Sequence, residues 1–365
     1  VSLNSQKERC PSPCDRKSSL AQPTAMSSPR VSVLLITYKH AKFIEEALRS
    51  ILVQDYVGFE LIIADDASTD STREVIETVL RQSSRSDVTV RKIYQTQNLG
   101  LVGNVNAAMQ AASGDIFVMA AGDDISLPSR ITKIVEAFQL SPEIQLVCTN
   151  YQKIDERGNH LGSPPKRHRT KVFSYAAGTR DIYANSPICG ATAAYRRNLF
   201  HEFGPMQPGT HGEDNCFWVR ALLTGKIYYN ESPLILWRQH QDNLSNSVDD
   251  NFATPESRAS LIKWMKAHSQ MTPQWERDIS HALNSQYITK SEARQALRRA
   301  HYDAIKWEMQ YCTIGVRPWA EWLKSAYKLL PYFQFDRLFR YFKERISARR
   351  RERIWQWWAN HRRNP

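Results

Sequence analysis

Long apolar runs are missing from these 365 residues. No stretch approaches the ~18 uninterrupted apolar residues that a transmembrane helix requires, and the polar, Ser/Pro-rich start has no apolar core of a secretory signal. A cytoplasmic location is therefore the expectation. Cysteine is sparse: there are six, and Cys148, Cys189, Cys216 and Cys312 are dispersed, mostly among apolar neighbours. This excludes a disulfide framework and predicts buried thiols. Cys10 and Cys14 form a C-x-x-x-C, but no second pair or nearby His pair completes a zinc site. Glycine-rich phosphate loops are also absent. The loop after the opening strand reads Thr37-Tyr38-Lys39-His40, with neither G-x-G-x-x-G nor G-x-x-x-x-G-K-[ST], so dinucleotide and P-loop readings lose their main support. A nucleotide held here is gripped by side chains. No internal repeat is visible.

What is present suffices for a globular protein. With 42% hydrophobic residues, the chain can bury one large core with an appendage, or two domains. The net charge of +12 is uneven, since residues 341–365 carry eight Lys/Arg against two Glu. Phosphate-bearing substrates, an anionic membrane surface and nucleic acid all suit such a basic end.

The pattern divides the chain into three parts. Residues 1–29 lack apolar periodicity and predict a disordered tail, with Met26 as a candidate native start. From Val31 strands and helices alternate. Val31 to Ile36 reads as a buried strand, followed by a helix bearing Phe43, Ile44, Ala47, Leu48, Ile51 and Leu52. Strands follow at Leu61 to Ala64, Val88 to Tyr94, Ile116 to Ala120 and Gln145 to Cys148. Between them lie helices opened by the capping-box pattern Ser71-Thr72-Arg73-Glu74, near Asn104 to Ala112, and after Pro128. This predicts an α/β fold with a mixed, mainly parallel sheet flanked by helices. Pro164 to Arg169 reads as a mobile basic loop, and from residue 251 the strand signal gives way to aromatic-rich helices.

Acidic pairs carry the chemistry. Asp65-Asp66 ends one apolar strand and Asp123-Asp124 another, and in an open α/β sheet such ends line one crevice. Tyr38 is placed to stack on a base and Asp66 to accept hydrogen bonds from base or ribose. A polar turn that caps the next helix is the alternative for Asp65 to Asp70. The second pair favours a cation, because adjacent carboxylates after an apolar run repel each other unless neutralised. A third pair, Glu213-Asp214, opens an apolar helix, where it serves either as helix capping or as a general base. In Trp237-Arg238-Gln239-His240, His240 is a candidate metal ligand or phosphate donor, with Arg238 beside it for charge compensation.

Taken in order, Val31-Ser32-Val33-Leu34-Leu35-Ile36-Thr37-Tyr38, Asp65-Asp66-Ala67-Ser68-Thr69-Asp70, Gly122-Asp123-Asp124 with Pro128 and Arg130, Gly190 to Arg197, Glu213-Asp214 and the His240 segment resemble the family 2 glycosyltransferases of GT-A fold. The resemblance runs over residues 31–246. It implies a GT-A catalytic domain over residues 30–250, with a nucleotide-binding half to 125 and an acceptor half from 126, and a basic helical extension over 251–365. By the same resemblance, Thr37, Tyr38, Asp65, Asp66, Asp123 and Arg130 bind the nucleotide, and Asp123 and His240 hold a divalent metal ion, Mn2+ or Mg2+. Asp214 is then the catalytic base, oriented by Glu213. The implied reaction is inverting transfer from a nucleotide-diphosphate sugar to a glycan or lipid-linked glycan, in bacterial surface-polysaccharide synthesis. Many relatives carry an Asp two residues before Asp123, where this chain has Ala121, so the D-x-D form is incomplete. The alternatives are sugar-phosphate nucleotidyl transfer and a non-catalytic nucleotide-sugar or nucleic-acid binding module. Retention of Glu213-Asp214 speaks against the module.

In the last segment Phe339, Phe342, Ile346, Ile354 and Trp357 lie near one helical face, beside Arg349 to Arg351 and Arg353. Basic amphipathic helices with Trp suit an anionic membrane surface, and predict peripheral attachment at the inner face of the cell membrane. The full chain should therefore float with anionic liposomes, and a chain ending at about residue 335 should not. Equal recovery of the two would remove the membrane from the picture.

Overall fold

The computed structural model describes residues 29–162, 169–174, 189–243, 262–263, 265–314 and 318–329. The expected N-terminal tail, most of the basic loop near 164–169 and the amphipathic segment after 331 lie outside the described residues. Among those described, nine strands form one sheet. In chain order they are β1 (Val31–Thr37), β2 (Glu60–Asp65), β3 (Thr89–Tyr94), β4 (Ile116–Ala121), β5 (Ile125–Ser126), β6 (Ile144–Ile154), β7 (Lys171–Ser174), β8 (Ala193–Arg196) and β9 (Lys226–Arg238). The spatial order is β3-β2-β1-β4-β8-β6-β9-β5, with β7 on β9. The first four strands are mutually parallel, β8 runs antiparallel to both β4 and β6, and β6 and β9 are parallel.

Period-two alternation explains why both faces are covered. Val33, Leu35, Ile63 and Val118 join one buried cluster with Ile44, Leu48, Ile76, Ile131 and Ile134. These helical residues belong to α1 (Ile44–Leu52), α2 (Thr72–Gln82) and α4 (Arg130–Gln139). Leu34, Ile62, Phe117 and Met119 point the other way. They meet α3 (Gly100–Ala111) and α6 (Glu213–Thr224), the latter following the single turn α5 (Asn198–His201). Near-continuous apolar strands are what a sheet buried on both faces requires.

That second core continues past residue 250. Met271, Trp275, Ile279 and Ala282 of the α7 region (helix Thr272–Asn284), and Ala293, Ala296 and Ala300 of α8 (Lys290–Ile314), belong to the same cluster as the sheet. A separate cluster of Tyr302, Met309, Cys312, Trp322 and Ala326 joins the end of α8 to α9 (Trp319–Leu329). The sequence boundary near 250 is therefore not a boundary of packing. Cys148, Cys216 and Cys312 are buried thiols and Cys189 is half-buried, with no disulfide among them. Among the described residues no helix is long and apolar enough to cross a membrane.

The helix expected to begin with a Ser71/Glu74 capping box is capped otherwise. Ser71 makes no side-chain cap bond, while Asp70 Oδ1 accepts hydrogen bonds from Thr72 N–H at 3.2 Å and Thr72 Oγ1 at 2.6 Å. A carboxylate is the stronger acceptor at a helix start, and Oδ2 of the same residue also accepts from Ala41 N–H at 3.1 Å.

One buried ion pair joins α6 to α7. Arg220 Nε lies 3.0 Å from Asp278 Oδ2 and Arg220 Nη2 3.2 Å from Oδ1. Nη1 donates to the carbonyls of Leu199 and Gly204 at 3.0 Å, and Gln274 donates to Asp278 Oδ1 at 2.9 Å. Both charges are thus satisfied without water, and removing one partner leaves the other stranded. Asp278→Ala should cost about 3–5 kcal/mol in urea unfolding. The double change Arg220→Met with Asp278→Leu should cost less than that single change, because no lone charge remains buried.

Candidate active site

The site lies where the strand order reverses. From β1 the chain steps outward through β2 and β3, then returns to the other side of β1 as β4, opening a crevice at the carboxyl ends of β1 and β4. In register, Thr37 lies beside Asp65 and Ile36 beside Ala121. The Thr37 to His40 loop is therefore flanked by both acidic strand ends.

On the β2 side, the Asp65 side chain is fully buried. Its oxygens accept from Ser68 N–H at 3.0 Å, Ser68 Oγ at 2.5 Å and Arg73 Nε at 2.5 Å. Ser68 Oγ also receives Lys39 N–H at 2.8 Å, so the two loops are stitched together. Both contain a non-glycine residue in the left-handed region, Lys39 at φ 56° and Ala67 at φ 58°, and these bonds hold that backbone in place. Asp65, expected to contact the nucleotide, is the buried acceptor that builds this turn. Thr37 is buried too, and its carbonyl accepts Asp66 N–H at 3.0 Å. Tyr38 stays 39% exposed, open to stacking. Asp66 Oδ1 accepts Leu99 N–H at 2.6 Å at the start of α3. Burial raises the Asp66 carboxyl above its usual range, against the pull of the Leu99 and Gly100 N–H groups.

On the β4 side, Gly122 permits a close approach that no other residue would. A Cβ there would stand 2.6 Å from His40 Nδ1 and 2.7 Å from Thr37 Oγ1. Asp123 Oδ2 lies 3.0 Å from His240 Nε2 and 3.7 Å from His40 Nε2. Burial opposes ionisation of Asp123, but the His240 hydrogen bond and the two imidazoles prevail and lower its pKa. Asp124 is treated oppositely: burial and the neighbouring Asp123 charge push it well above the carboxylate range. Its Oδ1 accepts Arg238 N–H at 2.9 Å, while Arg238 Nε donates to the Asp123 carbonyl at 3.0 Å. Arg238 Nη2 completes the hub by bonding Glu46. His240 is fixed by its own N–H to Asn243 Oδ1 at 2.9 Å and by Phe43, whose ring centroid is 4.7 Å away.

Arg130 is bonded within the fold beneath the acidic loop's strand. It is 1% exposed and donates to Ser126 Oγ at 3.0 Å and to the carbonyls of Met119 and Ala191 at 2.6 and 2.7 Å. Arg130, expected to contact the nucleotide, ties β4 to the turn Gly190–Thr192. A long side chain at the first position of a helix packed on the sheet reaches strand carbonyls before it reaches solvent.

That tie brings the third acidic pair to the same edge. A Cβ on Gly190 would fall 2.0 Å from Glu213 Oε1, so the turn presses directly on the carboxyl. Glu213 and Asp214 form the first turn of α6. Burial, helped by the Asp214 charge, raises Glu213 to about 8, and burial raises Asp214 to about 6. Asp214 is half-buried, and its Oδ1 accepts from Asn215 N–H at 2.8 Å and Asn215 Nδ2 at 3.0 Å. One carboxyl of the pair stays protonated near neutrality while the other ionises, the arrangement a general base requires.

Among the described residues, no three His, Cys, Asp or Glu side chains already form a metal cage. Asp123 and His240 nonetheless suit a divalent cation: a carboxylate oxygen and an imidazole nitrogen meet at 3.0 Å, both held from behind. Ligands from a diphosphate would supply the rest. Sequence reasoning named Gly122 with the acidic loop but did not single out His40 as part of this site. Its signal is contact across the β1/β4 crevice, and no spacing along the chain encodes it.

The family described as Glycosyl transferase family 2 matches residues 32–204. The chain is 33% identical over 207 residues to the putative glycosyltransferase EpsE of Bacillus subtilis, spanning 56% of this chain and 70% of that protein. It is 27% identical over 290 residues to an uncharacterized glycosyltransferase of Nostoc sp., spanning 77% and 85%. Among solved structures, S. aureus TarS 1–349 in complex with UDP-GlcNAc has a TM-score of 0.50 at 18% identity, covering 81% of this chain and 89% of that one. The mannosyltransferase PcManGT from Pyrobaculum calidifontis, in complex with GDP-Man and Mn2+, has a TM-score of 0.50 at 17% identity, covering 88% and 87%. Both structural likenesses bear on the fold, a mixed α/β sheet of the GT-A kind. With its ordered acidic motifs, its switch-point crevice and a relative at 33% identity spanning 70% of that protein, this chain belongs to glycosyl transferase family 2.

Proposed function

We propose that the protein is a metal-dependent, inverting glycosyltransferase that moves a hexosyl or related sugar from a nucleotide-diphosphate donor to an acceptor hydroxyl. The observation that carries this reading is the pairing of two differently tuned carboxyl sites at one sheet edge. Asp123 is held ionised by His240 and His40, and Asp214 is raised towards neutrality beside a protonated Glu213. Asp66, on the turn that Asp65 builds, accepts from base or ribose, and Tyr38, on the loop stitched to that turn through Ser68, stacks on the nucleotide base. Asp123 and His240 hold the metal at the donor diphosphate. When bound, a divalent cation supplies Lewis-acid stabilisation of charge on the departing nucleoside diphosphate.

Asp214 does the proton work. Its carboxylate removes the proton from the acceptor hydroxyl as that oxygen attacks the anomeric carbon, and the nucleoside diphosphate leaves from the opposite face with inversion. Asn215 fixes one carboxylate oxygen, and neutral Glu213 keeps a second negative charge away from the base. No covalent enzyme intermediate is needed. Donors carrying nucleoside diphosphates are supported by the UDP-GlcNAc and GDP-Man bound to the two structural neighbours. A glycan or lipid-linked glycan acceptor, surface-polysaccharide synthesis and work at the cytoplasmic membrane face rest on the family resemblance alone. So does the division into nucleotide and acceptor halves.

A donor panel followed by mass spectrometry tests the reaction: nucleoside diphosphate release that needs Mn2+ or Mg2+ is expected, and pyrophosphate release would mean nucleotidyl transfer instead. Asp214→Asn should lower kcat by about 100-fold or more, since general-base catalysis supplies about 10²–10⁴, while donor affinity in calorimetry stays nearly unchanged. Asp123→Ala should instead weaken metal-dependent donor binding by about 10–100-fold.

The pH profile separates the two carboxyls. A base must be ionised, so kcat/KM should rise with pH and level off above about 6, the value to which burial raises Asp214. A break near 8 would hand the role of base to Glu213, and a break at the ordinary carboxylate value of about 4 would remove the pair from catalysis.

A further inference from the structure

Ala121 leaves the acidic loop one carboxylate short of the D-x-D form, and a side chain from a different element lies over the next residue, Gly122. His40 comes from the loop after β1, and its ring lies so close over Gly122 that a Cβ there would be 2.6 Å from Nδ1. Nδ1 is also 3.3 Å from Thr37 Oγ1, and Nε2 faces Asp123 Oδ2 at 3.7 Å. His240 reaches the same oxygen at 3.0 Å, its ring edge-on to His40 with centroids 6.4 Å apart. Two loops therefore bring an imidazole each to one carboxylate oxygen of a third at the switch crevice.

We propose that His40 is a third protein ligand of the divalent cation, standing in for the carboxylate that Ala121 lacks, so that the ion is held by Asp123, His240 and His40. The proposal rests on the metal-dependent reading of Asp123 given above. Two donors, each about 2.1 Å from one ion, stand about 3.0–3.4 Å apart at octahedral or tetrahedral angles. The 3.0 Å separation of His240 from Asp123 already fits, and the 3.7 Å separation of His40 exceeds the range by a few tenths of an ångström, so the imidazole of His40 has to move in towards Asp123 as the ion binds. When Nδ1 of His40 carries the proton and donates to Thr37 Oγ1, the Nε2 lone pair is directed at the cation, the usual way a hydroxyl or carbonyl behind an imidazole sets its tautomer. Thr37 is then a positioning residue for the metal, consistent with its burial. Two imidazoles also change which ion is preferred. Nitrogen donors suit Mn2+ or Co2+ better than Mg2+, which favours oxygen and keeps its water.

The test is made on the full-length protein with Mn2+ alone, without donor or acceptor, so that turnover plays no part. Pulsed EPR of the bound Mn2+ should show nitrogen couplings from two histidines in the unaltered protein and from one in His40→Ala. Continuous-wave EPR titration should show Mn2+ affinity falling about 10–100-fold in that variant. Coupling to a single histidine in the unaltered protein, or unchanged affinity in a His40→Ala protein with an unaltered circular dichroism spectrum, would overturn the assignment of His40 and leave metal dependence standing. If Asp123→Ala alone abolishes binding, the failure belongs to His40. If the unaltered protein binds Mn2+ only when a nucleoside diphosphate is added, the three-ligand site falls and the metal-dependent reading stands; if it binds none even then, that reading falls and His40 with it. The spectrum of the unaltered protein decides the matter even if His40→Ala does not fold.

Discussion

Two adjacent carboxyls at the end of a buried strand repel each other, and much of the architecture at the switch point is arranged around Asp123 and Asp124. The chain separates their fates. Asp123 is turned to two imidazoles and kept ionised, whereas burial and its neighbour push Asp124 towards the protonated form. Both are then secured by one residue, Arg238, which gives a backbone N–H to the Asp124 carboxyl and Nε to the Asp123 carbonyl. For that residue to arrive, β9 must run beside β6 and pair with the two-residue β5 that follows the acidic loop. The long last strand is thus bound to a charge problem in the middle of the chain.

The second electrostatic arrangement is built with helices. Glu213 and Asp214 open α6, where the positive end of the helix favours carboxylates, yet burial keeps Glu213 protonated near neutrality. The helix is anchored two turns later by Arg220, which finds Asp278 on α7. Residues beyond 270 therefore set the position of the proposed base, and the helices Thr272–Asn284 and Lys290–Ile314 share the core of the sheet. A fully bonded buried ion pair is not a large source of stability, but it defines one orientation of α6 over the sheet.

The strands were legible because a sheet buried on both faces writes itself as short, almost wholly apolar runs, as at Val31 to Ile36 and Ile116 to Ala120. The acidic clusters were legible for the converse reason: carboxyls directly after such runs are out of place without a function. Individual roles were less legible. Asp65 and Asp66 are neighbours of the same type, yet one is walled in by Ser68 and Arg73 while the other bonds the start of α3. Arg130 follows the acidic loop in sequence but points under it. Ser71 has the pattern of a cap, and Asp70 performs the capping.

The amino-acid sequence by itself determined the α/β alternation, the family and the three acidic pairs, because apolar periodicity and the order of motifs are properties of neighbours along the chain. Only the tertiary structure decided what those pairs touch. His40 and His240 reach the same Asp123 oxygen from positions 83 residues before and 117 residues after it. Gly190 and Glu213 are pressed together through a turn that Arg130 ties to β4. Such contacts depend on strand order and on the crossover that opens the crevice between β1 and β4, and a linear pattern carries no record of which strand ends will be neighbours.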